Sequence, residues 1–216
     1  MDSHQIIDIL IIYIGLVVLL TFHEFGHAWM ALKCGDDTAK NEGRVSLNPL
    51  VHIDPIGTVI LPLAGLFLAM RGSAFAGLLI GWAKPVPVNI SNLRNPKLDD
   101  ILVTMAGPWM NLLLAVLLVG LARIGVAVHS TAMHDVCLAA ARLSLFLCFF
   151  NLVPIPPLDG SHVVRILIGM SYETYLQIAR FGIILILLVF NLTALPELLR
   201  AVTAASIQIM EGWFGL

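Results

Sequence analysis

Charge is scarce in this chain. Asp, Glu, Lys and Arg make up 12% of its 216 residues and apolar residues 59%, where a soluble domain carries about a quarter charged residues and about half apolar ones. A soluble globular domain is excluded, and an integral membrane protein is indicated. Basic surface is missing too: the formal charge is −2, and the few cations are scattered between apolar runs, so nucleic acid is not a partner. There are only three cysteines, Cys34, Cys137 and Cys148, with no C-x-x-C spacing. Neither a disulfide framework nor a cysteine zinc site follows from them, and they read as small apolar fillers. The first apolar run is preceded by Asp2 and Asp8 rather than by cations and is too long for a signal-peptide core, so it is expected to be retained as a helix.

Within that run, from Ile9 to Leu32, the one charged residue is Glu24, and it stands in Thr21-Phe22-His23-Glu24-Phe25-Gly26-His27. On a helix, His23 and His27 project from one face a turn apart, so two imidazoles can meet one metal ion while Glu24 reaches a water on that ion. An ionisable group at the centre of a membrane helix costs about 2.5–3.5 kcal/mol, which argues for a function rather than for chance. The pattern is H-E-x-x-H, and zinc is the metal it suggests.

The first helix is expected over residues 5–33, long enough to cross a bilayer core of about 30 Å. A polar loop rich in turn signals follows over 33–56. Residues 58–82 are apolar but broken by Pro62, Gly65, Arg71-Gly72-Ser73, Gly77 and Gly81, giving either one irregular span or a re-entrant hairpin. Gly81 to Asn89, with Pro85 and Pro87, is a strand-like edge or a loop. Residues 101–122 are uncharged and form a transmembrane helix containing Ala106-Gly107-Pro108-Trp109-Met110-Asn111. A third helix over 136–152 runs into Asn151-Leu152-Val153-Pro154-Ile155-Pro156-Pro157-Leu158-Asp159-Gly160, whose prolines unwind it. A further span is expected over 181–196, and 198–216 is either a short span or an interfacial helix. The fold class is an all-α polytopic membrane protein, a bundle of about five to six membrane-embedded helical segments with a short strand-like or re-entrant region.

A hydrolytic zinc takes three protein ligands and keeps one position for water. Asp159 is the best third ligand, because irregular backbone at membrane depth lines a cavity or is buried, and an acid there needs a cation. The alternative is an N-cap on the helix beyond 160. His162 is a lesser candidate, and His4, His52, His129 and His134 fall in loops or at span ends where solvated histidine is ordinary. If His27 and Asp159 follow helices running the same way, an even number of crossings separates them, so 58–82 should re-enter or stay peripheral. The loops 33–56, 81–100 and 159–180 then share one side with eight Lys and Arg, against two on the other. That side is read as the cytoplasm.

Three motifs in this order, H-E-F-G-H in a first membrane helix, A-G-P-W-M-N in a later one and N-L-V-P-I-P-P-L-D-G after the next, resemble the site-2 protease family of intramembrane zinc metalloproteases. The resemblance covers about residues 20–162 and extends to Gly81–Asn89. It implies a single domain over 1–216, one Zn²⁺ per chain held by His23, His27 and Asp159, Glu24 as catalytic base, and Asn111 lining the site. No PDZ or CBS sequence is present, so a minimal form is expected. The implied substrate is a transmembrane protein met within the lipid bilayer of a bacterial or archaeal cell membrane, with the active site nearer the cytoplasmic face. For Asn111 a hydrogen bond to substrate or oxyanion stands beside a purely interhelical one. The competing class is a non-proteolytic zinc-binding membrane protein or a metal transporter. A transporter would string ionisable ligands along a path on several helices, and a non-catalytic relative would most simply have lost Glu24. Substrate identity and oligomeric state are not legible.

Overall fold

A computed structural model describes residues 3–70 and 82–216, the side chains of 3–9, 66 and 68–70 excepted. They are helices and connecting turns with no strand among them, in the order α1 (Ser3–Cys34), α2 (Thr38–Asn41), α3 (Leu61–Met70), α4 (Pro96–Ala127), α5 (Thr131–Asn151), α6 (Asp159–Leu167), α7 (Tyr172–Ala179), α8 (Gly182–Leu192) and α9 (Leu195–Phe214). The chain forms two compact units, Met1–Arg94 and Asn95–Leu216. Three stretches, Leu10–Cys34, Pro96–Ala127 and Thr131–Asn151, are long and apolar enough to cross a membrane, and α7 with α8 makes a fourth if that pair, bent by 61°, is one span. The protein is therefore a multi-pass membrane protein. The expected five to six membrane-embedded segments included shorter and re-entrant pieces; full-length crossings among the described residues number three, or four with the bent pair. The span expected over 181–196 is interrupted: α8 has 11 residues, about 16 Å of helix, and cannot cross alone.

In the first unit the polar loops fold back on the end of α1. The Asp36 carboxylate is the hub: it accepts from the Asn89 backbone N–H (2.7 Å), the Asn92 side-chain amide (3.0 Å) and the Thr38 N–H (3.1 Å), and Thr38 Oγ1 donates a fourth bond. Burial by itself would raise this carboxyl, but bonds from Thr38, Asn89 and Asn92 outweigh it and hold the group below its ordinary value of 3.8. A lowered native pKa means stabilisation that is complete above the ordinary value and lost as pH falls through the native one. The stability difference between wild type and Asp36→Asn is accordingly expected to be about 1–3 kcal/mol at neutral pH and to close below pH 3.8. Thermal unfolding in detergent across that range checks it; a difference independent of pH would refute it.

The two ends of the 58–82 segment meet. Trp82 N–H donates to Gly57 O (3.2 Å) and Thr58 Oγ1 to Trp82 O (2.8 Å), and a Cβ on Gly57 would stand 2.4 Å from the Trp82 ring, so only glycine allows this approach. Asp54 caps the entering π-helical turn Pro55–Ile60 through Ile56 and Gly57 N–H, and Tyr13 on α1 donates to Thr58 O (2.9 Å). A single crossing would carry the two ends to opposite faces, so ends bonded to each other suit the re-entrant or peripheral course. The turn expected at Arg71-Gly72-Ser73 lies outside the described residues. Residues 82–89 have no regular secondary structure and pair with no strand among the described residues, and Pro85 and Pro87 carry no N–H for a ladder.

In the second unit α4 and α5 pack closely through small side chains. Ala115, Val119 and Ala122 meet Leu138, Ala141 and Leu145, and α9 adds Ile207 and Met210; alanine lets helix backbones approach where no hydrophobic effect drives them together. The opposite stripe of α4, Trp109, Leu113, Leu117 and Leu121, is exposed. Such a stripe suits lipid. Both helices extend beyond the apolar stretch read from the sequence, since Pro96 stands at the first position of α4 with Asp99 in its first turn, both favourable at a helix start.

Candidate metal centre

The H-E-x-x-H turn lies in the second half of α1, with His27 about 10 Å of helix before Cys34. His23 and His27 are both buried, their rings edge-to-face with centroids 4.7 Å apart, and their Nε2 atoms are 3.1 Å from each other. Two nitrogens on a tetrahedral zinc at about 2.0–2.1 Å would be about 3.3 Å apart, so this pair fits two corners of such a site. Ligation requires both Nε2 atoms bare, which puts the protons on Nδ1. Glu24 is half-buried beside them, and its Oε2 accepts the backbone N–H of Val86 at 3.2 Å.

Sequence reasoning missed that contact and what surrounds it. Arg44 and His52 lie in the loop expected to be polar and solvated, yet both are buried. Arg44 Nη2 donates to the carbonyls of Lys84 and Pro85, the His52 ring bonds Ser46 O (2.8 Å), and Lys84 N–H donates to His52 O (2.9 Å). The signal available was a Gly43-Arg44 step and a Pro-x-Pro, which mark turns and extended chain but name no partner.

In the second unit, Asp159 is the first residue of α6, and the cap position is taken by Leu158. The N-cap reading of Asp159 is thus shifted by one residue, although a carboxylate in the first turn still suits the helix dipole. The start of α6 is packed against the end of α5: a Cβ on Gly160 would stand 2.1 Å from Leu152 O. Ser161 Oγ bonds Leu158 O (2.5 Å) and Tyr175 Oη (3.0 Å), the His162 ring packs on Tyr175 at 4.4 Å, and Arg165 forms a buried ion pair with Asp100 of α4. Residues 152–158 form turns, with a cis Pro156–Pro157 bond. Asn111 is fully buried on α4, and its backbone carbonyl accepts from Ser144 Oγ of α5 at 2.7 Å. An interhelical bond does exist at Asn111, made by its main chain.

An apolar membrane helix carrying two convergent histidines and a flanking glutamate defines the class of membrane metallopeptidases. The chain belongs to peptidase family M50, the site-2 proteases, whose profile matches residues 11–133 and 119–192. It is 38% identical over 185 residues to "Putative zinc metalloprotease YwhC" of Bacillus subtilis, covering 82% of this chain and 78% of that one. It is 35% identical over 155 residues to "Putative zinc metalloprotease Rip2" of Mycolicibacterium smegmatis, covering 70% of this chain and 54% of that protein. A Rip2 of Mycobacterium tuberculosis is 33% identical over 147 residues, covering 68% of this chain and 52% of its own length. The chain thus spans about half of each Rip2. No solved structure matches it.

Proposed function

We propose that this chain is an intramembrane zinc endopeptidase that hydrolyses peptide bonds within or near transmembrane segments of membrane-protein substrates. The observation that carries this is the His23–His27 pair with Nε2 atoms 3.1 Å apart, beside Glu24 on an apolar helix of membrane-crossing length. On this reading His23, His27 and Asp159 hold one Zn²⁺, and residues 1–216 act as a single protease domain in a bacterial or archaeal cell membrane. The active site is nearer the cytoplasmic face, the side assigned to most of the loop cations.

When bound, zinc supplies Lewis acidity that brings a water toward a pKa of about 7 and polarises a carbonyl. Glu24 would serve as the general base, holding a proton taken from the attacking water and returning it to the leaving amine. The Asn111 side chain is read as a donor to the substrate backbone or oxyanion. A substrate helix must unwind locally before attack. The stretch 84–89 offers it few donors, because the N–H groups of Lys84, Val86 and Asn89 are already bonded and Pro85 and Pro87 have none. A strand laid along 84–89 or along the proline-rich 153–157 would therefore donate to carbonyls more than it accepts.

The test is zinc quantification on purified protein paired with cleavage of a model transmembrane substrate in detergent or vesicles, the cut mapped by mass spectrometry. About one zinc per chain and a cut within or beside the apolar segment are expected. Zinc flux into vesicles without cleavage would replace the reading with transport.

A further inference from the structure

Arg44 is 3% exposed, and neither its Nε nor its Nη1 has a hydrogen-bond partner; among the described residues no carboxylate pairs with it. A buried guanidinium without a counter-ion is costly, and a cation is a poor choice if the only need is to fasten a loop. Fastening is in any case supplied elsewhere: the 82–89 stretch is already fixed at Trp82 by Thr58, at Lys84 by His52 and at Asn89 by Asp36.

What Arg44 does bond is specific. Its Nη2 donates to Lys84 O (2.9 Å) and Pro85 O (2.8 Å). Pro85 C=O and Val86 N–H are the two ends of one planar peptide group, and the N–H end donates to Glu24 Oε2. The order is guanidinium, carbonyl, amide N–H, carboxylate. A cation at the oxygen end polarises the peptide group and strengthens its donor end, as hydrogen bonds in series do. The direction of that donor is preset as well, because Lys84 and Val86 each precede a proline and are biased to extended backbone.

We propose that Arg44 is a positioning residue for Glu24, acting through the Pro85–Val86 peptide group. It rests on the reading of Glu24 as general base. The guanidinium is needed for its charge, and its reach to two adjacent carbonyls sets where the Val86 N–H points, and so which way the carboxylate faces.

The experiment compares Arg44→Lys, which keeps a cation with several donors, with Arg44→Gln, which keeps a neutral donor. Zinc content, kcat and KM are measured on a transmembrane substrate, and the Val86 amide is followed by NMR in ¹⁵N-valine-labelled protein. Arg44→Gln is expected to lower kcat about 10- to 100-fold with KM and zinc unchanged, and Arg44→Lys to stay within about threefold of wild type. The Val86 amide proton should move upfield in Arg44→Gln and in Glu24→Gln but not in Arg44→Lys. Val86→Pro deletes the donor without touching the arginine; it should lose kcat to the same degree, and the double variant no further. An unmoved amide, equal activity in the Gln and Lys variants, loss of zinc, or an effect confined to KM would overturn the proposal. A wild type that binds zinc and cleaves nothing would instead sink the protease reading, and the amide shift would still decide whether Arg44 acts on Glu24.

Discussion

Glu24→Gln is expected to lower kcat by about 10²- to 10⁴-fold or more while zinc stays near one per chain. The substitution preserves shape and leaves an amide oxygen to accept the Val86 N–H, so the geometry around 82–89 should survive. What is lost is the carboxylate that accepts the proton of the attacking water in the proposed reaction. Its position between the two proposed ligands makes the separation of roles testable: His23→Ala removes an imidazole from the pair and should lose zinc, whereas Glu24→Gln should not. Zinc analysis beside cleavage of a transmembrane substrate decides it, and equal zinc loss in both variants would reassign Glu24 as a ligand.

Asp159→Ala should weaken zinc binding by more than the 10- to 100-fold typical of a lost outer hydrogen bond, roughly 10³-fold, because two imidazoles alone leave the site incomplete. Asp159→Asn should lose less, since an amide oxygen still coordinates weakly. The residue is held by its setting: Gly160 lies against the Leu152 carbonyl, and Ser161 and His162 are engaged by Tyr175. That setting also bears on the rival, His162, whose ring packs on tyrosine. Zinc titration with a competing chelator measures both; unchanged affinity in Asp159→Ala with loss in His162→Ala would move the third ligand.

The histidine pair could be read directly from the sequence because helical spacing of i and i+4 is a property of one element. Helix α5 ending at Asn151 was legible for a similar reason, since prolines act locally. Helix ends were less so: α1, α4 and α5 all begin before the apolar stretch does, as backbone hydrogen bonding continues into polar residues. His52 and Arg44 were opaque because burial of a polar loop residue depends on partners 32 to 41 residues away, here the carbonyls of Lys84 and Pro85 and the N–H of Lys84. Periodicity contains nothing about such contacts. The 181–196 stretch is not one continuous helix for another reason: hydropathy averages over a window and cannot register the break at Thr193 and Ala194, where α8 ends and α9 begins.

The clasp between Gly57 and Trp82 makes a doorway with bonded posts, bolted to α1 by Tyr13 ten residues upstream of His23. Because the loop-closure cost of extra length grows only slowly, residues added or removed between the posts are expected to cost little stability while Lys84 and Val86 keep their bonds to His52 and Glu24. The consequence is a division of labour: the posts, and not the length of chain between them, fix the approach to the peptide group that touches Glu24.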